Sequence, residues 1–269
     1  MTASDITSIP GSGSLTPYVD ILVAAARDRR AVEPLTSTSP SLDVATAYQI
    51  QDAVIAARVG GGATVVGAKL GLTSVAKQRQ MSVDSPVYGW LTDDMAIDTG
   101  ATLDCARYIQ PRLEPEIAFL LAHDLAGPHV TATQVLAATA AVFPAIDVLD
   151  SRFAGYKFSL TDVVADNASS AGFTLAGNAV DPRGIDLRLV GCVLEKNGVL
   201  VDTAAGAAVL GHPAASVAWL VRALAARCRG LSAGQVVMAG ALTEAVSVAP
   251  GDFVVARFDR LGTVELACR

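Results

Sequence analysis

The chain has 269 residues, a net charge of −6 and no basic block, and this charge balance gives no support for nucleic-acid binding. With 52% hydrophobic residues it can bury a substantial core, yet no apolar run long enough to predict a membrane span occurs. The start lacks the basic and apolar regions of a secretory signal and predicts a frayed tail. The four cysteines show no CxxC spacing, so we expect reduced thiols in a cytoplasmic protein.

The first part of the chain predicts two helices followed by a short strand. Residues 18–30 predict an amphipathic helix that ends in a basic cluster, and residues 44–59 predict a second helix that ends at three glycines. A short apolar strand at 64–67 then leads to Lys69, which is flanked by Gly67 and Gly71. Glycines allow a backbone to approach a ligand closely, but a surface lysine beside a turn is the alternative interpretation. Residues 75–81 predict a further helical turn.

The stretch from Gln110 to Leu121 combines two carboxylates with an apolar run typical of a buried strand. Because strand side chains alternate faces, Glu114 and Glu116 would point the same way, about 7 Å apart. Two carboxylates aimed into an apolar region repel each other and are costly to desolvate. A divalent cation with oxygen ligands would relieve both costs. The alternative is an edge strand, marked by Pro115, whose glutamates face water.

Acidic residues recur in a second apolar strand, predicted at 142–152 after a helix at 132–141. Asp147 is bracketed by Ile146 and Val148, an unusual setting for an aspartate without a partner. Asp150 and Arg152 are predicted to form a neighbouring ion pair. The small polar residues 166–170 follow another apolar segment, and capping or turn formation explains such a stretch more often than binding does.

The last hundred residues predict strands with one helix. A strand at 185–196 turns at Asn197-Gly198, a strong hairpin signal, and returns through 199–203. After a helix at 214–227, the remaining strands are predicted at 236–238, 245–248, 253–258 and 263–267.

Taken together, these segments resemble the fumarylacetoacetate hydrolase superfamily, in its 2-keto-4-pentenoate hydratase and 4-oxalocrotonate decarboxylase branch. The stretches that carry the resemblance run in order from about Tyr48 to the end of the chain. They are GAKLGLTS (67–74), QPRLEPEIA (110–118), DSR (150–152), VADNASS (164–170), EKNG (195–198), GAAVLGHP (206–213) and APGD (249–252).

The resemblance implies an α+β fold. Its larger part, expected at residues 96–269, is a metal-binding catalytic domain built on a mixed, strongly curved β-sheet roll. A small N-terminal α/β portion is expected at residues 1–95. The strand-rich pattern after Met95 agrees with this division.

The resemblance also implies the residues of a site. Glu114, Glu116 and Asp147 are expected to hold Mg²⁺ or Mn²⁺, although this branch usually carries Glu where Asp147 stands. Lys69 takes the position of a catalytic lysine. The backbone of Leu72 and the 166–170 loop, with Ser169 or Ser170, are expected to hold the carboxylate of a small 2-oxo acid substrate.

The implied reaction is metal-dependent decarboxylation of 2-oxo-3-hexenedioate (4-oxalocrotonate) to 2-hydroxypenta-2,4-dienoate, in the meta-cleavage degradation of aromatic compounds. The alternative is hydration of that dienoate to 4-hydroxy-2-oxopentanoate. Val87 favours the decarboxylase, since hydratases of the branch often carry an acid there. Residues 153–167 and 238–243 also resemble the decarboxylase version. Arg152 and Lys157 are candidates for binding the second carboxylate, and either could equally be a surface ion-pair partner.

Two more remote alternatives are an acylpyruvate C–C hydrolase and an inactive binding subunit. Such hydrolases typically carry an early His-Glu pair, but no histidine precedes His123. The presence of Glu114, Glu116 and Lys69 argues against a subunit that has lost catalytic activity. The resemblance further implies a homo-oligomer and a complex with a partner hydratase.

Overall fold

The computed structural model describes residues 14–74, 78–79 and 83–269. The predicted frayed start lies outside these residues. So does the helical turn predicted at 75–81, apart from residues 78 and 79.

The helices begin where the sequence supplies caps. Asp43 Oδ1 accepts a hydrogen bond from Thr46 N at 2.7 Å and so caps the second long helix. Thr131 and Gln134 form a capping box before the fourth helix. Six α-helices lie wholly within the described residues: α1 (Thr16–Asp28), α2 (Leu35–Thr38), α3 (Val44–Gly60), α4 (Ala132–Ala138), α5 (Leu160–Ala165) and α6 (Pro213–Ala225).

Fourteen strands are present in the same described part of the chain. They are β1 (Val65–Gly71), β2 (Val87–Thr92), β3 (Thr102–Leu103), β4 (Arg112–Leu121), β5 (Leu125–Ala126), β6 (Thr139–Leu149), β7 (Ser170–Leu175), β8 (Gly191–Lys196), β9 (Val199–Ala205), β10 (Gly230–Leu231), β11 (Val236–Ala241), β12 (Val246–Ser247), β13 (Phe253–Phe258) and β14 (Gly262–Cys268).

The strands form one large mixed sheet and two smaller sheets. The large sheet has the order β2-β1-β11-β4-β6-β7, with β12 paired to β4. In it β1 runs parallel to β11, and the other pairs are antiparallel. A five-stranded sheet has the order β3-β14-β13-β8-β9, and β5 pairs with β10. The mixed, strongly curled sheet and the helices confirm the predicted fold class.

The large sheet continues across the boundary predicted between residues 95 and 96. Strands β1 and β2, assigned to the N-terminal portion, lie in this sheet beside β11. Helices α1 and α3 cover a separate cluster of buried apolar side chains that includes Leu22, Ile50 and Phe153. The division into two domains at this boundary stays a prediction.

Strand β4 lies inside the large sheet, so the edge-strand alternative is wrong. It pairs with β11 and β12 on one side and with β6 on the other. Pro115 is tolerated because its nitrogen and carbonyl point to the same side, towards β11. There the carbonyl accepts a hydrogen bond from Leu242 N at 3.0 Å, and β11 shifts register between Met238 and Ala241. Because of this shift, β11 places no backbone acceptor that would need an N–H group from Pro115.

Several predicted boundaries shift in the structure. Lys69 lies within β1, whereas the predicted strand ended at Gly67. Helix α4 ends at Ala138, and the chain enters β6 directly. The strand predicted from Ile185 begins only at Gly191. The Asn197-Gly198 hairpin between β8 and β9 is confirmed, with φ of 55° and 75° at its two residues.

One segment, Gly206–Ala225, is long and apolar enough to cross a membrane by length and composition alone. Half of its most apolar window is buried inside the protein, and core helices pass the same test. In the structure α6 contributes Val217, Leu220 and Leu224 to the main hydrophobic core.

Candidate metal and substrate site

Three carboxylates converge on the inner face of the large sheet. Glu114 and Glu116 alternate along β4, and Asp147 on β6 lies directly opposite Glu114 in the strand register. One oxygen from each residue lies within 4.8 Å of the other two, and all three side chains are buried. The predicted orientation of the two glutamates on one face is confirmed.

The surroundings of Glu116 fit a cation. Its Oε2 accepts a hydrogen bond from Gly240 N at 2.7 Å, while its buried Oε1 has no hydrogen-bond partner among the described residues. Burial, and then the charge of Asp147, hold the pKa of Glu116 well above its usual range. A hard divalent cation would satisfy the open oxygen and neutralise the clustered charge. The residues present therefore suit Mg²⁺ or Mn²⁺.

Lys69 reaches this cluster from β1. Its Nζ lies 2.8 Å from Asp147 Oδ2 and donates to the carbonyl oxygen of Ala168 at 3.3 Å. The residue is 1% exposed, so the surface-lysine alternative is wrong. Burial opposes its charge, but the carboxylates of Asp147, Glu116 and Glu114 outweigh burial and raise the pKa of Lys69. The ammonium is therefore held charged inside the site.

The loop after α5 has an unusual backbone. Asn167, Ala168 and Ser169 have φ of 51°, 52° and 56°, three consecutive left-handed residues that are not glycine. The Asn167 amide accepts from Trp90 N at 2.7 Å and donates to Trp90 O at 2.9 Å. Gly89 makes room for this loop, because a Cβ there would lie 2.3 Å from Asn167 O. The fold holds the turn against β2 despite its strain.

The left-handed turn separates the two candidate serines. Ser169 lines a cavity beside Lys69, and its buried Oγ has no hydrogen-bond partner in the described part of the chain. Ser170 Oγ instead lies 4.0 Å from Met95 Sδ, and the residue lines a second cavity. Leu72, with φ of 56°, also lines the first cavity. The structure therefore brings Ser169 and Leu72 to the site and directs Ser170 away from it.

The first cavity, called the site cavity here, has a volume of about 310 Å³. Its wall combines a polar end, at Lys69 and Glu114, with apolar side chains that include Val87. The lining residues are Lys69, Gly71, Leu72, Thr73, Val87, Arg112, Glu114, Leu149, Tyr156, Phe158, Val163, Ala168, Ser169, Ala241, Glu244 and Ala245.

Arg152 does not line the site cavity. Its Nε forms a buried ion pair with Asp166, and its Nη1 donates to Asp150 O at 2.6 Å. The predicted pairing of the Asp150 and Arg152 side chains is wrong, because the Asp150 carboxylate accepts from the backbone of Ile109 and Gln110 at 2.9 and 2.7 Å. Arg152 lines the second cavity, of about 380 Å³, between α1, α3 and the loop. The guanidinium N–H groups of Arg152 therefore serve the structure by joining the end of β6 to Asp166.

Lys157 is exposed and also lies outside the lining of the site cavity. Besides Lys69, the cationic side chain in the lining is that of Arg112, which was not among the residues predicted from the sequence. The signal was available, since Arg112 stands two residues before Glu114 and therefore shares its face of β4. Tyr156 and Phe158 in the lining were noted only as part of a longer segment.

Comparison with known proteins agrees with this geometry. The model of the fumarylacetoacetate (FAA) hydrolase C-terminal family matches residues 58–268. A 4-oxalocrotonate decarboxylase of Pseudomonas sp. (strain CF600) is 44% identical over 240 residues, which are 89% of this chain and 91% of that protein. A 2-keto-4-pentenoate hydratase of Paraburkholderia xenovorans (strain LB400) is 40% identical over 243 residues, 90% of each chain.

A solved structure shares the whole architecture. It is the 4-oxalocrotonate decarboxylase from Pseudomonas putida G7 in complex with magnesium and adipate, 38% identical in sequence. The superposition has a TM-score of 0.92 and covers 97% of this chain and 100% of that one.

Proposed function

Because this chain belongs to the fumarylacetoacetate hydrolase family, we propose that it is a carbon–carbon lyase that decarboxylates 2-oxo-3-hexenedioate, with Mg²⁺ or Mn²⁺ as cofactor. The product is 2-hydroxypenta-2,4-dienoate, and the setting is the meta-cleavage degradation of aromatic compounds. Support comes from the decarboxylase names of similar proteins and from the magnesium and adipate bound by the similar structure.

Similar proteins named as hydratases make hydration of the dienoate the second candidate. The observation that favours decarboxylation is the position of Val87. Its apolar side chain lines the site cavity beside Lys69, where an acid would assist the addition of water. Hydration needs proton donors and a positioned water, whereas Val87 can neither donate nor accept a proton.

The carboxylate cluster, of which Glu114 lines the site cavity, and Lys69 have separate roles in this reaction. Glu114, Glu116 and Asp147 would hold the divalent cation. When bound, the cation supplies a Lewis acid that accepts the electrons released by loss of CO₂. Lys69 places a fixed positive charge beside the same carboxylates and stabilises negative charge that develops on the substrate.

The remaining residues orient the substrate. Ser169 Oγ, buried without a partner in the described residues, is available to donate to the carboxylate next to the 2-oxo group. The apolar side chains of Leu149, Phe158 and Val163 exclude water from the rest of the cavity. Exclusion of water favours a step in which a carboxylate loses its charge as CO₂.

The test uses purified protein with Mg²⁺ and each of the two substrates in separate assays. Release of CO₂ from 2-oxo-3-hexenedioate and loss of the absorbance of 2-hydroxypenta-2,4-dienoate are followed independently. We expect CO₂ release that EDTA abolishes and added Mg²⁺ restores, with dienoate hydration slow or absent. Faster hydration than decarboxylation would replace this proposal with the hydratase.

We also propose a cytoplasmic location and association with other chains. All four cysteines are free thiols, which suits a reducing compartment. The edge strand β9 exposes Val199, Leu200 and Val201, an apolar strip that supports a homo-oligomer or a complex with a partner hydratase. Light scattering of the protein alone and with such a hydratase tests both forms of association.

A further inference from the structure

Arg112 shares a strand face with the metal-binding glutamates. It opens β4, and side chains two residues apart on a strand lie about 7 Å from each other on the same face. Arg112, Glu114 and Glu116 therefore form one row along β4, with Glu114 in the middle. Both Arg112 and Glu114 line the site cavity. The cavity thus has a carboxylate cluster at one end and a guanidinium farther along.

The charge of Arg112 is not neutralised by an acidic side chain in the described part of the chain. No ion pair joins it to an acid within residues 14–74, 78–79 and 83–269. Glu244, which with Lys69 and Glu114 makes up the other charged residues of the lining, is exposed. Arg152, in contrast, is bound to Asp166 in a different cavity. Arg112 is therefore the arginine that can meet an anion in the site cavity.

Tyr156 holds the guanidinium in place. The Arg112 guanidinium carbon lies 3.9 Å from the centre of the Tyr156 ring. The Tyr156 hydroxyl donates to Gln110 O at 3.2 Å, which fixes the ring against the start of β4. Stacking occupies the face of a guanidinium and leaves the N–H groups at its edge able to bind a carboxylate with two parallel hydrogen bonds.

The nominal spacing of positions along β4 is similar to the length of a short linear dioate. Five C–C bonds of about 1.5 Å in a zigzag place the two carboxyl carbons of a six-carbon dioate roughly 6 Å apart. This span is close to the distance of about 7 Å between neighbouring positions on one face of β4. A substrate held at the Glu114 end by its 2-oxo acid group would therefore present its second carboxylate to Arg112.

We propose that Arg112, presented by Tyr156, binds the distal carboxylate of a six-carbon 2-oxo dioate and so selects dioates over monoacids. The proposal deepens the proposed function and rests on it for the identity of the substrate. It replaces Arg152 and Lys157, the candidates from the sequence, with a residue that lines the cavity.

The role is selection of the substrate. The distal carboxylate is charged in the bound substrate and loses its charge as the C–C bond breaks, so its contact with Arg112 weakens towards the transition state. An interaction that is no stronger in the transition state than in the ground state does not raise kcat. Substitution of Arg112 should therefore raise KM for the dioate more than it lowers kcat.

The test measures binding without turnover. Adipate and hexanoate, which have the same chain length and differ in one carboxylate, are titrated into Mg²⁺-loaded protein by calorimetry. Wild type should prefer adipate by about 10- to 100-fold, the size expected for one charged hydrogen-bonded contact. Arg112→Met should bind both acids with similar affinity, with hexanoate and Mg²⁺ affinities within about twofold of wild type.

Two further variants complete the design. Arg183→Met removes an exposed arginine that pairs with Asp181 and does not line the site cavity, and it should keep the wild-type preference. Tyr156→Leu removes the stacking surface and should reduce the preference at least about threefold, and it carries the test if Arg112→Met does not fold. Equal binding of the two acids by wild type would overturn the proposal. An unchanged preference for adipate in folded Arg112→Met would also overturn it. If Arg112→Met does not fold, an unchanged preference in Tyr156→Leu has the same consequence. The titrations measure binding and not turnover, so their outcome does not depend on whether the protein is a decarboxylase or a hydratase. Failure of this proposal can therefore be distinguished from failure of the proposed function.

Discussion

Lys69 Nζ lies 2.8 Å from Asp147 Oδ2 although their strands, β1 and β6, are three positions apart in the large sheet. Neighbouring strands are spaced by ~4.8 Å, so in a flat sheet β1 and β6 would be ~14 Å from each other. The contact exists because the sheet curls and brings its inner face together. The same curl brings Glu114 and the loop at Ser169 to one cavity and groups Glu116 and Asp147 with Glu114.

Glu114→Gln should abolish metal binding and activity while the fold stays intact. The change removes one negative charge and almost no volume, and the amide is a weaker ligand for a hard cation. We expect Mg²⁺ affinity to fall at least about 100-fold by calorimetry, with no detectable CO₂ release. Glu195→Gln, which alters an exposed ion pair with Arg257, is the matched control and should bind Mg²⁺ normally. Full activity of the EDTA-treated protein would contradict the metal assignment.

Lys69→Met should lower turnover without loss of metal affinity. Methionine keeps much of the volume but removes the charge that stabilises the reacting substrate, so kcat should fall by about 10²- to 10³-fold. Mg²⁺ should bind at least as tightly, because a neighbouring positive charge is gone. Calorimetry and single-substrate kinetics check the two quantities separately. Turnover close to wild type would show that Lys69 serves the fold alone.

Arg152→Met should destabilise the protein in a pH-dependent way. The substitution leaves the Asp166 carboxylate buried without its ion pair, which costs about 3–5 kcal/mol. Burial raises the pKa of Asp166 to about 6 even with Arg152 lowering it, and loss of Arg152 raises it further. A carboxyl whose pKa is raised on folding contributes stability below its unfolded value of 3.8, which is lost as the pH rises through the folded value.

The deficit of Arg152→Met should therefore be smaller at pH 5 than at pH 8. Chemical denaturation at the two pH values measures it, with Arg183→Met as the control for loss of an exposed arginine. A deficit that is equal at both pH values would show that Asp166 does not titrate as argued. A variant that folds normally but fails to discriminate adipate from hexanoate would return Arg152 to the substrate site.

The sequence predicted those features that depend on local periodicity. Alternation along one strand was enough to place Glu114 and Glu116 on one face, and the resemblance added Asp147 from the next strand. The same alternation, extended two residues towards the start of the strand, also predicts that Arg112 shares the face of Glu114. The burial of Lys69 depends on the curl of the sheet, and the network of Arg152 depends on a turn that brings Asp166 back to it. Neither contact follows from spacing within the sequence.

The left-handed loop gives the last prediction, because it shows how one amide could determine substrate binding. Asn167 bonds both backbone groups of Trp90, and the two residues that follow carry Ser169 Oγ and Ala168 O to the cavity and to Lys69. Asn167→Gly keeps the left-handed backbone free of steric cost and removes the two hydrogen bonds, and glycine adds some conformational freedom to the unfolded chain. Asn167→Ala removes the same bonds and adds the cost of a Cβ at φ of 51°.

We expect both variants to lose about 1–3 kcal/mol of stability, with Asn167→Ala lower than Asn167→Gly by about 1 kcal/mol. Both should raise KM for the 2-oxo acid at least about tenfold, since Ser169 is no longer held in position. Mg²⁺ affinity should stay at the wild-type value, because the three carboxylates lie on β4 and β6 and not on the loop itself. The difference between the two variants separates backbone strain from hydrogen bonding, and loss of Mg²⁺ binding in Asn167→Gly would mean that the loop supports the metal site itself.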